Sequence, residues 1–185
     1  MLLQPIAELP RGEDWVYEPK LDGWRLLAYR SLAKVRLITR GQADYTDAKR
    51  FSPLKEQIPE SMNGLDAVFD GEVVGVVNGK HNLNTLWTPR AKLIYYVFDI
   101  LEVEGTSLVG KSWATRREAL ETIFQPQPNI ELCPNTDDGD LMKENTERLR
   151  MEGVVAKHQR GIYTQGKRTQ RAVKLKYADY GHKPR

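Results

Sequence analysis

Three observations predict an α+β fold. Segments with two-residue hydrophobic alternation are joined by short turns, and two segments with helical spacing are inserted among them. Strands and helices also do not alternate regularly, as they would in a doubly wound sheet. Residues 24–30 and 34–39 are rich in aliphatic side chains and flank the short Ser31-Leu32-Ala33, so they read as a hairpin. Ser52-Pro53 has the form of an N-cap followed by proline in the first turn. A short helix is expected from there to Ile58, with Pro59 stopping it. Residues 66–77 form a longer strand candidate, which Asn78-Gly79 would reverse, and residues 93–100 form another.

Trp113, Leu120, Ile123 and Phe124 recur near helical spacing, which predicts an amphipathic helix over 112–124 with Arg116, Arg117, Glu118 and Glu121 on its outer surface. Residues 130–133 suit a short strand. A second helix is expected over 139–151, with Leu141, Met142, Asn145 and Leu149 along one side. Strands over 153–158 and 172–177 close the chain, with an exposed polar loop at 159–170 between them.

A chain of 185 residues, 40% hydrophobic and 29% charged, can bury its own core and is read as one domain, with room for two lobes. The net charge of +3 permits weak attraction to phosphates without a dedicated electrostatic clamp. One cysteine, Cys133, excludes an internal disulfide framework and a cysteine-rich zinc site. His81, His158 and His182 show no metal-ligand spacing. With no leader pattern and no membrane-length apolar run, the chain reads as a cytoplasmic, soluble monomer without a membrane partner.

Five segments carry chemistry. Glu18-Pro19-Lys20-Leu21-Asp22-Gly23-Trp24-Arg25 sets a lysine between two carboxylates and ahead of an arginine. An amine at its ordinary pKa is protonated and cannot attack, so a nucleophilic lysine needs desolvation or nearby positive charge. The same residues also fit a solvated turn on Asp22-Gly23. Asp70-Gly71-Glu72 places two acids within an apolar strand, where they need a cation or ligand unless Gly71 is a bulge that exposes them. Phe98-Asp99 lies in a run apolar enough to be plain core. Glu152-Gly153-Val154-Val155-Ala156-Lys157 brackets a strand with an acid and a lysine. Lys174-Leu175-Lys176 alternates, so both lysines share one face, as they would on an ordinary surface strand too.

In this order the segments resemble motifs I, III, IIIa, IV and V of the covalent nucleotidyltransferases: ATP-dependent DNA ligases, RNA ligases and mRNA capping enzymes. The likeness is greatest to the adenylation domain of bacterial ATP-dependent DNA ligases of the end-joining type. It implies a nucleotidyltransferase, ATP-grasp-like fold of antiparallel sheets flanked by helices, with a nucleotide cleft between them, over residues 1–185. It also implies that Lys20 attacks the ATP α-phosphate and carries AMP, which passes to a 5′-phosphate of nicked or broken double-stranded DNA in repair or recombination.

By the same resemblance Arg25 contacts the ribose, Glu18 the adenine amino group, and Phe98 stacks on the base, with Leu21 beside the nucleotide. Glu72 and Glu152 take the ribose and a Mg²⁺ or Mn²⁺ ion, while Lys174 and Lys176 meet the α-phosphate with Lys157 close by. Arg40 aligns with a nucleotide- or DNA-end-supporting arginine, although a solvated strand-end arginine would look the same. Tyr163 and Gly166-Lys167-Arg168 resemble the loop before motif V, but Ala172 stands where a tryptophan is usual and Leu26 is bulkier than the family's small residue.

Only nine residues follow Lys176, so the OB-fold domain carrying motif VI is expected to lie outside this chain, supplied elsewhere or by a repair partner. Rival readings are an RNA ligase or capping-type nucleotidyltransferase, and a catalytically idle nucleotide- or DNA-end-binding module. The NAD⁺-dependent ligases need an extra N-terminal domain, for which nineteen residues before Lys20 leave no room.

Overall fold

The computed structural model describes the chain apart from residues 79, 179 and 181–185 and the side chains of residues 80–84. The Asn78-Gly79 reversal, His182 and the His81 side chain therefore lie outside the described residues. The chain divides into two units. One comprises Met1–Leu21, Gly110–Ala114 and Cys133–Arg185, and the other Asp22–Val109 and Thr115–Leu132.

In the first unit a four-stranded sheet has the order β1-β11-β10-β2, from β1 (Leu2–Pro5), β2 (Trp15–Pro19), β10 (Gly153–His158) and β11 (Arg168–Lys176). β10 pairs antiparallel with β2 and β11, whereas β1 joins β11 in parallel. Pro19 is tolerated because it is the last residue of an edge strand, where no ladder bond is lost. Alternation sends Tyr17, Val154, Ala156 and Val173 to one face, where they pack with Met142 of α3 (Gly139–Arg148). Asp138 caps α3, accepting from the Leu141 amide at 2.9 Å.

α3 differs from expectation in the side it buries. Met142 and Thr146 face inward, while Leu141 and Leu149 are exposed at 47% and 62%. Thr146 satisfies its hydroxyl on the Met142 carbonyl at 2.9 Å and meets the Tyr177 hydroxyl at 2.7 Å, which lets a polar residue occupy the inner stripe. The segment expected as an exposed loop turns inward at Gly161 and Tyr163, and β11 starts at Arg168.

In the second unit the sheet order is β4-β3-β5-β7-β8, from β3 (Trp24–Ser31), β4 (Lys34–Thr39), β5 (Ala67–Val77), β7 (Lys92–Val103) and β8 (Thr106–Ser107). β6 (Lys80–Asn82) pairs antiparallel with β5, and β9 (Ile130–Leu132) joins β7 in parallel, so antiparallel pairing dominates both sheets without being universal. Leu26, Ala28, Phe69, Val73, Tyr95 and Val97 bury against Phe51, Leu54 and Ile58 around α1 (Ser52–Ser61) and Leu120 of α2 (Trp113–Ile123). Each fully buried aliphatic side chain here stabilises the fold by roughly 1.5–3 kcal/mol.

α1 departs from the expected boundaries: Phe51, not Ser52, is its N-cap, and Pro59 lies within it. Proline removes one ladder bond near the end of the helix. Buried Ile58 and Met62 hold the last turn, and Ser61 donates to the Ile58 carbonyl at 2.9 Å. Arg116 and Arg117 are also not on the outer surface of α2, being 1% and 7% exposed.

Candidate active site

Strand pairing sets Val155 opposite both Glu18 and Lys174. With a two-residue pleat, Glu18, Lys157, Lys174 and Lys176 therefore share the face opposite the Tyr17–Val154–Val173 core, and Lys20 follows immediately after β2. The Lys20 amide donates to the Gly153 carbonyl at 2.9 Å, fixing the lysine beside the start of β10. Gly153 can hold that position only without a side chain, because a Cβ there would overlap the Leu175 carbonyl oxygen.

Glu152 gathers two of these lysines. Lys20 Nζ donates to its Oε2 at 2.6 Å, and Lys176 Nζ pairs with its Oε1. The Glu152 side chain is 8% exposed, so its charge is desolvated and needs these partners. Among the described residues no carboxylate lies within ion-pair distance of Lys174. Burial pushes its pKa below the ordinary lysine value, and the neighbouring Lys20 and Lys176 charges push it down further.

Lys157 is not among the lysines that Glu152 gathers. It is buried against Glu18, with Nζ 2.9 Å from Oε1 and 2.7 Å from Oε2. The sequence places Lys157 close by the phosphate-facing lysines; it shares their face of the sheet and is bonded to Glu18. Leu21 is buried at the end of this unit's first segment.

In the second unit Arg25 grips buried Asp70 with two bonds, Nε to Oδ1 at 2.9 Å and Nη2 to Oδ2. Its guanidinium carbon lies 5.6 Å from the centre of the Phe98 ring, a cation–π arrangement. Glu72, half-buried, pairs across the sheet with Arg25 on one side and Tyr96 on the other. The β5–β7 ladder shifts register between Asp70 and Gly71 with Phe98 as the extra residue on β7, so Gly71 is not the bulged residue, and Asp70 is buried. Gly23, just before β3, is required because a Cβ would overlap the Val73 carbonyl. Arg40 is exposed at the end of β4, its amide donating to the Arg25 carbonyl at 3.3 Å.

Asp99 is held by Arg116, with Nε to Oδ1 at 2.7 Å and Nη2 to Oδ2 at 2.9 Å, both side chains almost fully buried. The α2 stripe 113, 120, 123, 124 has a gap one turn after Trp113, and Arg116 and Arg117 fill it. That periodicity was the available signal for their burial. Among the described residues no three His, Cys, Asp or Glu side chains group into a metal site. The carboxylates of Glu72 and Glu152 are hard oxygen donors suited to Mg²⁺ or Mn²⁺, which commonly complete their shells with water and substrate phosphate.

The family profile described as ATP dependent DNA ligase domain matches residues 3–176. The chain is 26% identical over 189 residues to the SPbeta prophage-derived DNA ligase-like protein LigB of Bacillus subtilis, covering 97% of this chain and 67% of that protein. It is 30% identical over 174 residues to the multifunctional non-homologous end joining DNA repair protein LigD of Mycobacterium tuberculosis, covering 90% of this chain but 22% of that protein. A solved mycobacterial DNA ligase D complexed with ATP superposes with a TM-score of 0.76 at 25% identity, covering 95% of this chain and 60% of that one. No helix among the described residues is long and apolar enough to cross a membrane.

Proposed function

Because the chain belongs to the ATP dependent DNA ligase domain family, we propose that residues 1–185 form one adenylation domain in which Lys20 takes AMP from ATP. The observation that carries this reading is Lys20 held at 2.6 Å by Glu152, with Lys174 and Lys176 on the adjoining strand.

Lys20 Nζ attacks the α-phosphorus. The new N–P bond forms as the bond from phosphorus to the pyrophosphate oxygen breaks, and pyrophosphate leaves with its electron pair. The ammonium must first lose a proton, and the Glu152 oxygen beside it is positioned to accept one. Lys174 and Lys176 neutralise charge on the phosphate. A desolvated lysine between two cations favours an arriving anion, since the anion relieves the repulsion that lowers its pKa. Arg25, oriented by Asp70, and Glu72 serve the ribose, and Arg40 supports the nucleotide or the DNA end; Phe98 stacks on the base; Leu21 flanks the nucleotide; and Glu18 accepts from the adenine amine. Glu152 in the first unit and Glu72 in the second would each offer a carboxylate to Mg²⁺ or Mn²⁺, which would supply further positive charge at the phosphates.

AMP then passes to the 5′-phosphate of nicked or broken double-stranded DNA, and a 3′-hydroxyl displaces it. The domain acts as a monomer, and efficient sealing draws on an OB-fold domain or repair partner. The test offers ATP, Mg²⁺ and a 5′-phosphorylated nick in DNA or RNA, followed on a denaturing gel. AMP transfer to DNA in preference to RNA is expected. Transfer only to RNA, or none even with lysyl-AMP formed, would overturn the DNA assignment.

A further inference from the structure

Lys157 and Glu18 form a two-point ion pair, 2.9 and 2.7 Å from one ammonium to both carboxylate oxygens, with side chains only 4% and 3% exposed. A buried ion pair of this kind is weak evidence for stability, because desolvating both charges offsets most of their attraction; such pairs are better explained by what they specify. Glu18 is two residues before Lys20 and on the same pleated face, opposite Val155, while Lys157 reaches it from the diagonal position on β10. Lys157 thus sits between Glu18 on β2 and Lys174 on β11, diagonal to both, and its ammonium is bonded to Glu18.

We propose that Lys157 is a specificity-positioning residue: it holds Glu18 as an oriented carboxylate, so that the site accepts an amino-bearing purine and rejects one presenting a carbonyl at the same place. This rests on the reading that Glu18 meets the base. A carboxylate is an acceptor only; it takes an N–H from the exocyclic amine of adenine and faces the carbonyl oxygen of guanine with two like-signed partners and no proton. A protonated acid or an amide in its place could donate to that carbonyl, and the discrimination would shrink. Two short bonds to a cation therefore do two things here: they fix the carboxylate's orientation and oppose its neutralisation in a dry setting. Leaving a buried polar partner unmatched is the usual source of strong discrimination between otherwise similar ligands.

The test measures ATP and GTP affinities by ligand-dependent thermal shift, which needs no catalysis, on the wild-type chain and on Glu18→Gln, Lys157→Met and Lys157→Arg. The wild type should prefer ATP. Glu18→Gln should cut the ATP-to-GTP preference by on the order of tenfold or more, and Lys157→Met should cut it similarly. A Lys157→Met chain that lowers both affinities equally, with the preference intact, overturns the role of Lys157. If Lys157→Met does not fold, Lys157→Arg decides the matter. Its bulkier planar cation displaces the carboxylate, so the preference should fall at least about threefold, and an unchanged preference overturns the proposal. If Glu18→Gln itself leaves the preference unchanged, the placement of Glu18 at the base is wrong, a failure distinct from that of Lys157.

Discussion

Lys20 Nζ donates to Glu152 Oε2 at 2.6 Å across 132 residues of sequence. Glu152 is held in turn by Lys176 on its other oxygen, so one carboxylate ties the end of β2 to the end of β11. The bond keeps the amine next to a carboxylate, which offsets part of the repulsion among Lys20, Lys174 and Lys176.

Replacing that carboxylate separates chemistry from binding. With Glu152→Gln, lysyl-AMP formation should fall on the order of 10²–10⁴-fold, the usual worth of a positioned proton acceptor. ATP binding measured without divalent cation should be kept or tightened, because one negative charge has left the proposed triphosphate site. Mass spectrometry of the adduct and calorimetry of binding give the two readings; weakened binding with an unchanged adduct rate would contradict the assignment.

Lys174 makes stability depend on pH. Its pKa lies below the ordinary 10.5 in the folded chain, through burial first and the Lys20 and Lys176 charges second. Between the folded and unfolded values the unfolded chain binds more protons, so stability rises with pH across that window. Below the folded value the penalty is fully present. Lys174→Gln should flatten the rise. Urea melts across the alkaline range compare the two chains; identical slopes would show that Lys174 is not the group responsible.

The Asp99–Arg116 pair is structural in this account. Asp99→Asn leaves a guanidinium buried at 1% exposure against a neutral amide. A loss of about 3–5 kcal/mol is expected from breaking a buried pair on one side. Replacing both members, Asp99→Leu with Arg116→Met, should recover much of it. Urea denaturation of single and double variants checks this, and a single variant within 1 kcal/mol of wild type, against the roughly 3–5 expected, would refute it.

The strands and the shared lysine face were legible because alternation is a local property: Lys174 and Lys176 have to emerge together whatever surrounds them. The Glu18–Pro19 segment was legible as chemistry but not as strand, since β2 is only five residues long and ends in proline, and its pairing with β10 comes from residues far along the chain. β1 was missed for the same reason, its four residues gaining strand character only through β11. Arg116 and the Lys157–Glu18 pair are charges whose burial depends on a partner distant in sequence, and composition assigns such residues to the surface, whereas Asp70 was legible as a strand acid in need of a cation and Arg25 supplies it. Leu141 and Leu149 show the reverse error: apolar residues at helical spacing that face outward because Thr146 meets the Tyr177 hydroxyl.

Lys20 is expected to become covalently bonded to AMP. Incubating the chain with ATP and Mg²⁺ and measuring intact mass, followed by peptide mapping, reads this out. A fraction of the protein should gain one AMP, mapped to the peptide containing Lys20, and Lys20→Ala should gain none. An adduct that survives Lys20→Ala, or a wild-type chain that gains no AMP at saturating ATP, would contradict it.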